Sequence, residues 1–306
     1  MTTNTPGVST MAAFTAAVLI GGGNFVAVRF SNRELEPFWG AGLRFSLAAV
    51  LFVTVAVALR LRPPRGRDLA LTATYGIFSF TLSYALMYWA LVRVTAGSTA
   101  VVLAAVPLIA PILASIQRLE AIKPRAIVGA VVAIGGIVWM STGPEGLVIP
   151  LDGLVAALLA AGTIGQSVIL GKRVSGHHPV MTNAVGLSVG APALLALSLA
   201  AGETWALPQQ TAVVWSVTYL VLLGSGGLFV LLLLVMRKWT VSATAYAFVL
   251  FPVVTMLVES WLADEPLTLR GLTGALVVMA AAWFGALAPS GSDRRRRRSA
   301  EPLTTG

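Results

Sequence analysis

Apolar residues are concentrated in ten runs, each long enough to cross roughly 30 Å of hydrocarbon as a helix. Short connections rich in proline and glycine separate the runs, as expected at helix ends. No connection is long enough for a separate soluble domain. The pattern therefore predicts an all-α integral membrane protein with ten transmembrane helices, at residues 12–30, 37–59, 69–90, 95–117, 126–142, 152–171, 180–201, 212–235, 241–262 and 270–288.

The stretch 94–129 is repeated 145 residues later, at 239–274. Several residues are identical at this offset, among them Thr95 and Thr240, Ala100 and Ala245, Pro107 and Pro252, Glu120 and Glu265, and Gly129 and Gly274. An offset of 142 further aligns Asn24 with Gln166 and Pro37 with Pro179. Five spans per copy is an odd number, so the second copy must enter the membrane from the opposite side. The sequence thus predicts two inverted five-helix repeats, a design typical of secondary transporters.

The repeats divide the chain into four parts. Residues 1–11 form an N-terminal tail, 12–142 the first repeat, 152–288 the second repeat, and 289–306 a basic C-terminal tail. Basic residues collect on the side of the two tails, where the clusters are Arg60–Arg67, Arg118–Arg125, Lys172–Arg173, Arg237–Lys238 and Arg294–Arg298. Because cytoplasmic loops carry the excess of Lys and Arg, both termini are predicted to be cytoplasmic.

Composition agrees with a membrane protein. The chain is 57% apolar and 11% charged, with a mean hydropathy of +0.85, whereas soluble domains are about 25% charged. The net charge of +9 does not indicate a nucleic-acid partner, because the arginines lie in clusters between apolar runs, which indicates contact with lipid headgroups. The absence of cysteine excludes disulfides and thiol chemistry, and no motif indicates a metal or a cofactor.

Several motifs carry a resemblance to a known family. The run GGGNFVAVRF at Gly21–Phe30, the segment Gly42–Phe45 and the pattern at Ala100–Gly129 with its echo at Ala245–Gly274 resemble the EamA family of the drug/metabolite transporter superfamily. One departure is Gly22, where the family often has Trp. The resemblance covers the whole chain apart from the tails and implies a ten-helix permease, built from two EamA-type repeats, that exports amino acids, metabolites or drugs.

Two amides are candidates for substrate binding. Asn24 lies in the middle of the first span and its repeat mate Gln166 in the sixth, each beside a glycine. A polar group stranded in hydrocarbon costs several kcal/mol, so both are expected to face a cavity or a neighbouring helix. The alternative is that they only hold helices together.

Two ionisable residues within spans are also candidates. Arg44 is seven residues into the second span and is predicted to bind a substrate carboxylate or a partner acid; the alternative is that it reaches the outer interface. Glu259, in the ninth span, is predicted to lie in the same outer half and to pair with Arg44. We hypothesise that Glu259 exchanges the coupling proton, although a solvated structural carboxylate is an alternative. Arg29 is interpreted as an interfacial anchor.

Aromatic residues and prolines complete the predicted site. Tyr84 and Tyr88 are four residues apart on one helix face, and Tyr246 lies in the ninth span; a tyrosine ring suits amphipathic solutes or organic cations. Packing is the alternative for all three. Prolines that free backbone carbonyls are expected to kink helices during transport, at Pro107, Pro111 and Pro252. The glycines at 224–227 are expected to break the eighth span.

The sequence thus predicts a secondary active transporter that exports amino acids or related small metabolites by alternating access, with proton coupling as a hypothesis. A multidrug or organic-cation exporter is the alternative. A membrane-embedded enzyme acting on a lipid-linked substrate is disfavoured, because His177 and His178 are adjacent in a loop and no metal-ligand or nucleophile motif accompanies them. The expected partners are a small-molecule substrate and the lipid bilayer, and the sequence leaves a homodimer open.

Overall fold

The computed structural model describes residues 8–119, 124–143, 146–147, 149–174, 176–238 and 241–287. Within these ranges it describes only the backbone of residues 8–9, 143, 146–147, 233–234, 236–238, 241–246 and 286–287. The helices are α1 (Val8–Ser31), α2 (Pro37–Ala58), α3 (Arg67–Gly76), α4 (Ser83–Leu91), α5 (Ala96–Leu103), α6 (Val106–Ile116), α7 (Pro124–Ser141), α8 (Leu151–Arg173), α9 (Pro179–Ala200), α10 (Thr211–Val221), α11 (Leu228–Lys238), α12 (Val241–Leu262) and α13 (Leu269–Ala282).

Several of these helices combine into longer spans. A π-helical segment, Ile77–Leu82, joins α3 to α4, and a second one, Leu222–Gly227, joins α10 to α11. A third π-helical segment, Trp283–Leu287, extends α13. A two-residue turn separates α5 from α6. Thirteen helices therefore make ten spans, accompanied by a small antiparallel hairpin between β1 (Thr142–Gly143) and β2 (Gly146–Leu147).

The prediction of a ten-helix membrane protein is confirmed. Eight of the spans contain 18 to 25 residues and are apolar enough to cross a membrane, and two shorter apolar helices cover Ala247–Leu262 and Leu269–Gly285. At a rise of about 1.5 Å per residue, 18 to 25 residues match the thickness of the hydrocarbon core. The exposed side chains on these helices are mostly large and apolar, among them Val57, Ile134, Leu159 and Leu276, as lipid requires.

The helix ends follow the residues that the sequence places there. Pro37 and Pro179 occupy the first positions of α2 and α9, where the missing N–H of proline costs no hydrogen bond. Thr95 and Thr268 precede α5 and α13, and their hydroxyls accept hydrogen bonds from the backbone N–H of Ser98 and Gly271. These caps satisfy backbone donors that would otherwise be left unpaired at a membrane interface.

The packing of the spans is symmetric under exchange of the two repeats. The second span, α2, packs on its repeat mate α9, and the fifth, α7, packs on its mate α13. Helix α1 packs on α12 as its mate α8 packs on α5 and α6. Similarly, α1 packs on α10 and α11 as α8 packs on α3 and α4. Since each contact has a counterpart in which the repeats are swapped, the two copies are related by a pseudo-two-fold axis.

The spans form two bundles connected by two helices. The α2–α9 bundle contains α2, α3, α4, α9, α10 and α11, and the α7–α13 bundle contains α5, α6, α7, α12 and α13. Helices α1 and α8 contact both bundles and are therefore called the bridging helices. Each bundle takes half of its spans from each repeat, so neither repeat forms a compact unit alone.

Small residues permit the closest helix contacts. A methyl group added at Gly76 would overlap with the carbonyl oxygen of Gly186, and one added at Gly190 would lie 2.8 Å from Cβ of Phe80. Gly136 and Gly274 are similarly close across the pair α7 and α13. Such approaches are typical of helices that associate in membranes through small residues.

The predicted proline kinks have different outcomes. The fourth span is interrupted at residues 104–105, directly before α6, which carries Pro107 in its first turn. By contrast, the helices continue through Pro111 and Pro252. The roles of these prolines in motion stay predictions.

Candidate functional site

The glycines before Asn24 bring α1 close to its neighbours. A methyl group added at Gly22 would lie 2.5 Å from Cβ of Val254, and one at Gly23 would lie 2.5 Å from the hydroxyl of Tyr219. The Tyr219 hydroxyl donates a hydrogen bond to the carbonyl of Ile20 at 2.8 Å. The close approach leaves no room for a larger side chain at Gly22. Helix α1 is continuous through these glycines. The absence of side chains at Gly22 and Gly23 lets the helix lie close to both bundles.

Arg44 is fully buried and is held by the second π-helical segment. Its Nε donates to the hydroxyl of Ser225 at 3.0 Å, and its Nη2 donates to the carbonyl of Gly224 at 3.1 Å. Its exposed fraction is 0%, so the alternative in which Arg44 reaches the outer interface is wrong for this conformation. The buried charge depends on a backbone carbonyl, a hydroxyl and aromatic rings.

The second π-helical segment supplies the carbonyl that Arg44 and Asn24 share. Nδ2 of Asn24 lies 3.4 Å from the carbonyl oxygen of Gly224. A side chain at position 224 would overlap with Oδ1 of Asn24 and approach Nη2 of Arg44 at 3.1 Å. Glycine is therefore required where α1 and α2 meet the eighth span. π-Helical turns are frequent at functional sites, because they shift the helix register locally.

Asn24, Arg44, Tyr88, Gly224 and Ser225 form what we call the central polar cluster. Three of its buried polar atoms have no hydrogen-bond partner among the described residues: Oδ1 of Asn24, Nη1 of Arg44 and the hydroxyl of Tyr88. The Tyr88 hydroxyl interacts with the Arg44 guanidinium, although without the geometry of an ordinary hydrogen bond. Buried polar groups are normally paired, so this cluster is the candidate site.

Aromatic rings adjoin the cluster on one side. The guanidinium carbon of Arg44 lies 5.0 Å from the ring centre of Phe45 and 5.1 Å from that of Tyr84, within the range of cation–π attraction. The rings of Phe45 and Tyr84 meet edge to face at 4.6 Å, and Phe80 is 5.5 Å from Phe45. Tyr84 thus lies beside Arg44, and the role of Tyr84 and Tyr88 in substrate binding stays a prediction.

The remaining predicted binding residues lie elsewhere. Gln166, the repeat mate of Asn24, is not in the central polar cluster; its Oε1 accepts a hydrogen bond from Nε2 of Gln117 at 2.7 Å. The side chain of Tyr246 lies outside the described residues, although its backbone belongs to α12. Sequence symmetry alone could not predict this difference, because Arg44, which adjoins Asn24 at Gly224, has a glycine, Gly186, as its mate at an offset of 142.

Glu259 does not pair with Arg44, contrary to the expectation from the sequence. Its exposed fraction is 3%, and its carboxylate accepts hydrogen bonds from the backbone N–H of Ala96 at 2.7 Å and of Gly97 at 2.6 Å. These are the first residues of α5, where a carboxylate is favoured by unpaired N–H groups and the helix dipole. The expectation failed because two residues at a similar depth need not face each other.

The partner of Glu259 is Arg29. Nη1 of Arg29 lies 2.5 Å from Oε1 of Glu259, and its Nη2 lies 2.6 Å from Oε1 of Glu265. Arg29, Glu259 and Glu265 together form what we call the outer latch, where outer means the end of the molecule at which α1 finishes and α2 begins. The interpretation of Arg29 as an interfacial anchor missed this ion pair. The available signals were its place at the end of an apolar span and the acid at the end of the ninth span, but neither shows that α1 and α12 are neighbours.

Two further contacts near the site could not be predicted from the sequence. The hydroxyl of Thr255 donates to the carbonyls of Gly22 at 2.9 Å and Phe251 at 2.8 Å, which ties α12 to α1. The sequence places Ser225 in a glycine-rich segment, but it does not predict the contact of Ser225 with Arg44. In the part of the chain that the structure describes, no group of three or more His, Cys, Asp or Glu side chains is arranged to hold a metal ion.

Family comparison adds a decisive observation to this geometry. The model of the EamA-like transporter family matches the chain twice, at residues 8–142 and 151–286. The chain belongs to the EamA-like transporter family. The two matches correspond to the two five-helix copies, and the central polar cluster draws residues from both.

Curated relatives in this family are named as transporters. An "Uncharacterized transporter" of Archaeoglobus fulgidus is 25% identical over 260 residues, which cover 83% of this chain and 90% of the relative. A "Probable terminal-alkyne amino-acid exporter" of Streptantibioticus cattleyicolor is 29% identical over 269 residues, covering 82% and 85%. The "Uncharacterized inner membrane transporter YedA" of Escherichia coli K12 is 27% identical over 267 residues, covering 84% and 83%. The general role of this EamA-like protein is therefore transport.

A solved structure supports the same fold. A protein with a known crystal structure superposes with a TM-score of 0.66 at 17% sequence identity, over 94% of this chain and 98% of the other. At this identity the similarity concerns only the arrangement of the helices.

Proposed function

We propose that this EamA-like transporter exports amino acids or related small metabolites by alternating access, and that the central polar cluster is its substrate site. The observation that carries the proposal is Arg44. In the described residues no carboxylate pairs with it, and its Nη1 has no hydrogen-bond partner. A buried guanidinium without a counter-charge is costly in a membrane, and a substrate carboxylate would offset that cost.

The neighbouring groups suit the rest of an amino acid. Oδ1 of Asn24 is a buried acceptor without a described partner, and a substrate ammonium group is a matching donor. The hydroxyl of Tyr88 can donate to a carboxylate or accept from an ammonium. The ring of Tyr84, which is only partly buried, would contact the substrate side chain. One of the relatives is named a probable amino-acid exporter, which agrees with this chemistry.

Tyr246 and Gln166 enter the proposal differently. Tyr246 stays a candidate contact by its position in α12, while Gln166 would meet the substrate only on its path, since it bonds to Gln117 away from the central polar cluster. Pro107, Pro111 and Pro252 are proposed as the points at which the fourth and ninth spans bend during the transport cycle.

An organic-cation or multidrug exporter is the second candidate. The observation in its favour is the group of aromatic rings around Phe45, Phe80 and Tyr84, which could receive a cation or an apolar drug. Arg44 opposes a cationic substrate at the same place, because like charges repel at low dielectric. A membrane enzyme is set aside, because the family and its relatives are transporters.

Proton coupling would act through Glu259. Its carboxylate accepts two backbone hydrogen bonds and forms an ion pair with Arg29. Binding of a proton would weaken its contact with Arg29, and so link protonation to the outer end of α1. Export of the substrate would then be coupled to entry of protons, which is the coupling hypothesised from the sequence.

The test of substrate class is flux in proteoliposomes. Purified protein is reconstituted with panels of amino acids and of amphipathic cations, and uptake of each is measured for the wild type and Arg44→Gln. Flux of amino acids that the variant loses would support the proposal. Flux of cations alone, retained by Arg44→Gln, would overturn it in favour of the second candidate.

Coupling is tested in the same vesicles with an internal pH dye. Substrate-dependent proton movement in the wild type that Glu259→Gln loses would support coupling through Glu259. Glu203→Gln is a matched control, because Glu203 also accepts from two consecutive backbone N–H groups, those of Phe38 and Trp39, at a helix start. If both variants keep proton movement, Glu259 has no coupling role; if both lose it, the effect is a capping defect and not coupling.

The proposed orientation places both termini in the cytoplasm of a bacterial cell, in the inner membrane. Its support is the excess of Lys and Arg in the connections on the side of the tails. The chain has no cysteine, so single cysteines at Thr3 and at Val92 can be labelled in intact cells with an impermeant maleimide. Labelling at Val92 alone is expected, and labelling at Thr3 alone would contradict the orientation.

A further inference from the structure

We infer that the outer latch and a second contact, Gln117–Gln166, are the two alternating gates of the transport path. This inference rests on the proposed alternating-access function. The outer end of the molecule is here the end at which α1 finishes and α2 begins, and the inner end is the opposite one. The contact Gln117–Gln166 is called the inner latch.

Both latches fasten a bridging helix to the same bundle. At the outer end, Arg29 ties α1 to Glu259 of α12, which belongs to the α7–α13 bundle. At the inner end, Gln166 ties α8 to Gln117, which directly follows α6 of that bundle. Helices α1 and α8 are repeat mates, and α6 and α12 belong to mate spans. The two latches therefore join corresponding pairs of spans, although their residues are not repeat mates, since Gln166 aligns with Asn24 and Gln117 with Leu262.

The central polar cluster lies inward of the outer latch on the bridging helix α1. Asn24 precedes Arg29 by five residues, or roughly 7.5 Å along the helix. A cavity of about 310 Å³ lies at the outer end, lined by Arg29, Asn32, Arg33, Leu91, Val92, Ala263 and Glu265. If Arg29 leaves Glu259 and Glu265, this cavity can extend inward along α1 toward Asn24. The ion pair thus closes the outer route to the site.

The latches differ in strength. The outer latch joins charged groups and includes the 3% exposed Glu259, whereas the inner latch joins two neutral amides, of which Gln117 is exposed. Hydrogen bonds to charged groups are roughly twice as strong as neutral ones. Loss of the outer latch should therefore shift the population of conformations more than loss of the inner latch, and in the opposite direction.

The test measures distance at the outer end without any substrate. Spin labels are attached to Val92→Cys and Leu269→Cys, which are exposed at the outer ends of the two bundles, in a chain that has no other cysteine. Double electron–electron resonance gives the ratio of long to short distances. Arg29→Gln is expected to raise this ratio about tenfold, the factor that corresponds to the loss of a charge-assisted hydrogen bond.

Arg33→Gln is the matched control. Arg33 lines the same cavity, but it stacks on the ring of Phe30 at 3.9 Å, and no described carboxylate forms an ion pair with it. Its variant removes an equal charge and should leave the ratio unchanged. If Arg29→Gln and Arg33→Gln give the same ratio, the outer-latch inference is overturned.

Two further variants keep the test decisive. Glu265→Gln leaves the cap of α5 by Glu259 intact and should raise the ratio by a smaller factor, even if Arg29→Gln does not fold. Gln166→Ala should lower the ratio, and a rise would overturn the pairing of the two latches. Since the readout needs no substrate, it tests the gate independently of the substrate proposal. A shift in distances without amino-acid flux would mean that the gate inference holds and that the substrate proposal fails.

Discussion

The two π-helical segments occupy equivalent positions in the two repeats, but they have different neighbours. The first packs against glycines, and the second contacts polar side chains. Ile77–Leu82 and Leu222–Gly227 are separated by the same 145 residues that separate Pro107 from Pro252. The first packs Phe80 against Gly186 and Gly190 of α9, and the hydroxyl of Thr81 donates to the carbonyl of Gly190. The second presents Gly224 and Ser225 to Asn24 and Arg44.

The difference shows how a duplicated fold acquires one site instead of two. The backbone irregularity occurs in both copies, but only the second copy meets an arginine. At an offset of 142 the mate of Arg44 is Gly186, which leaves room for a phenyl ring where the other copy has a guanidinium. The first segment thus holds helices together, while the second presents polar groups.

The largest effect is expected from Arg44→Gln. Loss of the buried guanidinium should reduce amino-acid flux by at least about 30-fold, because removing one partner of a buried charged contact costs about 2–5 kcal/mol and each 1.4 kcal/mol is about tenfold. Arg93→Gln is the control, since Arg93 forms an exposed ion pair with Asp152, and exposed pairs contribute at most about 1 kcal/mol. Equal flux in the two variants would show that Arg44 does not bind substrate.

A smaller but still large effect is expected from Gly224→Ala. The new methyl group would overlap with Oδ1 of Asn24, so α1 or the π-helical segment must shift, at a cost of about 1–3 kcal/mol. Both the melting temperature in detergent and the flux should fall. Ser79→Ala makes a change at the equivalent position of the other segment and should retain flux. If Ser79→Ala impairs flux as strongly, the two segments are functionally equivalent and the comparison fails.

Gly76→Ala should affect stability more than transport chemistry. Its methyl group would overlap with the carbonyl oxygen of Gly186 and separate α3 from α9, which lowers the melting temperature by an amount comparable to Gly224→Ala. Gly135→Ala has open space around the added methyl group and should be neutral or stabilising, by up to about 1 kcal/mol. Thermal unfolding of the two variants, followed by fluorescence, distinguishes packing from helix propensity. A fall of similar size in both would contradict the packing role.

Tyr88→Phe should have the smallest effect. Its hydroxyl has no described hydrogen-bond partner, so its removal should leave the melting temperature unchanged or slightly higher. Apparent substrate affinity should fall by a few-fold if the hydroxyl binds substrate. Concentration dependence of flux measures that fall, and an unchanged half-saturation concentration would remove Tyr88 from the site.

Much of the architecture follows from local chemistry. The lengths of the apolar runs, the prolines between them and the internal repeat predict ten helices in two inverted copies, because hydrocarbon forces each span to satisfy its own backbone hydrogen bonds. Polar residues inside spans, such as Asn24, Arg44 and Glu259, could be identified from the sequence as candidate site residues, because leaving them unpaired in lipid is costly.

Only the tertiary structure decided which of these residues meet. Arg44 binds Ser225 and Gly224, 181 and 180 residues away, and Glu259 binds Arg29, 230 residues away. The sequence gives the depth of a residue along its span but not the direction of its side chain around the helix axis. Bridging helices that contact both bundles, and short glycine approaches between them, set those directions, so the central polar cluster and the latches are properties of packing.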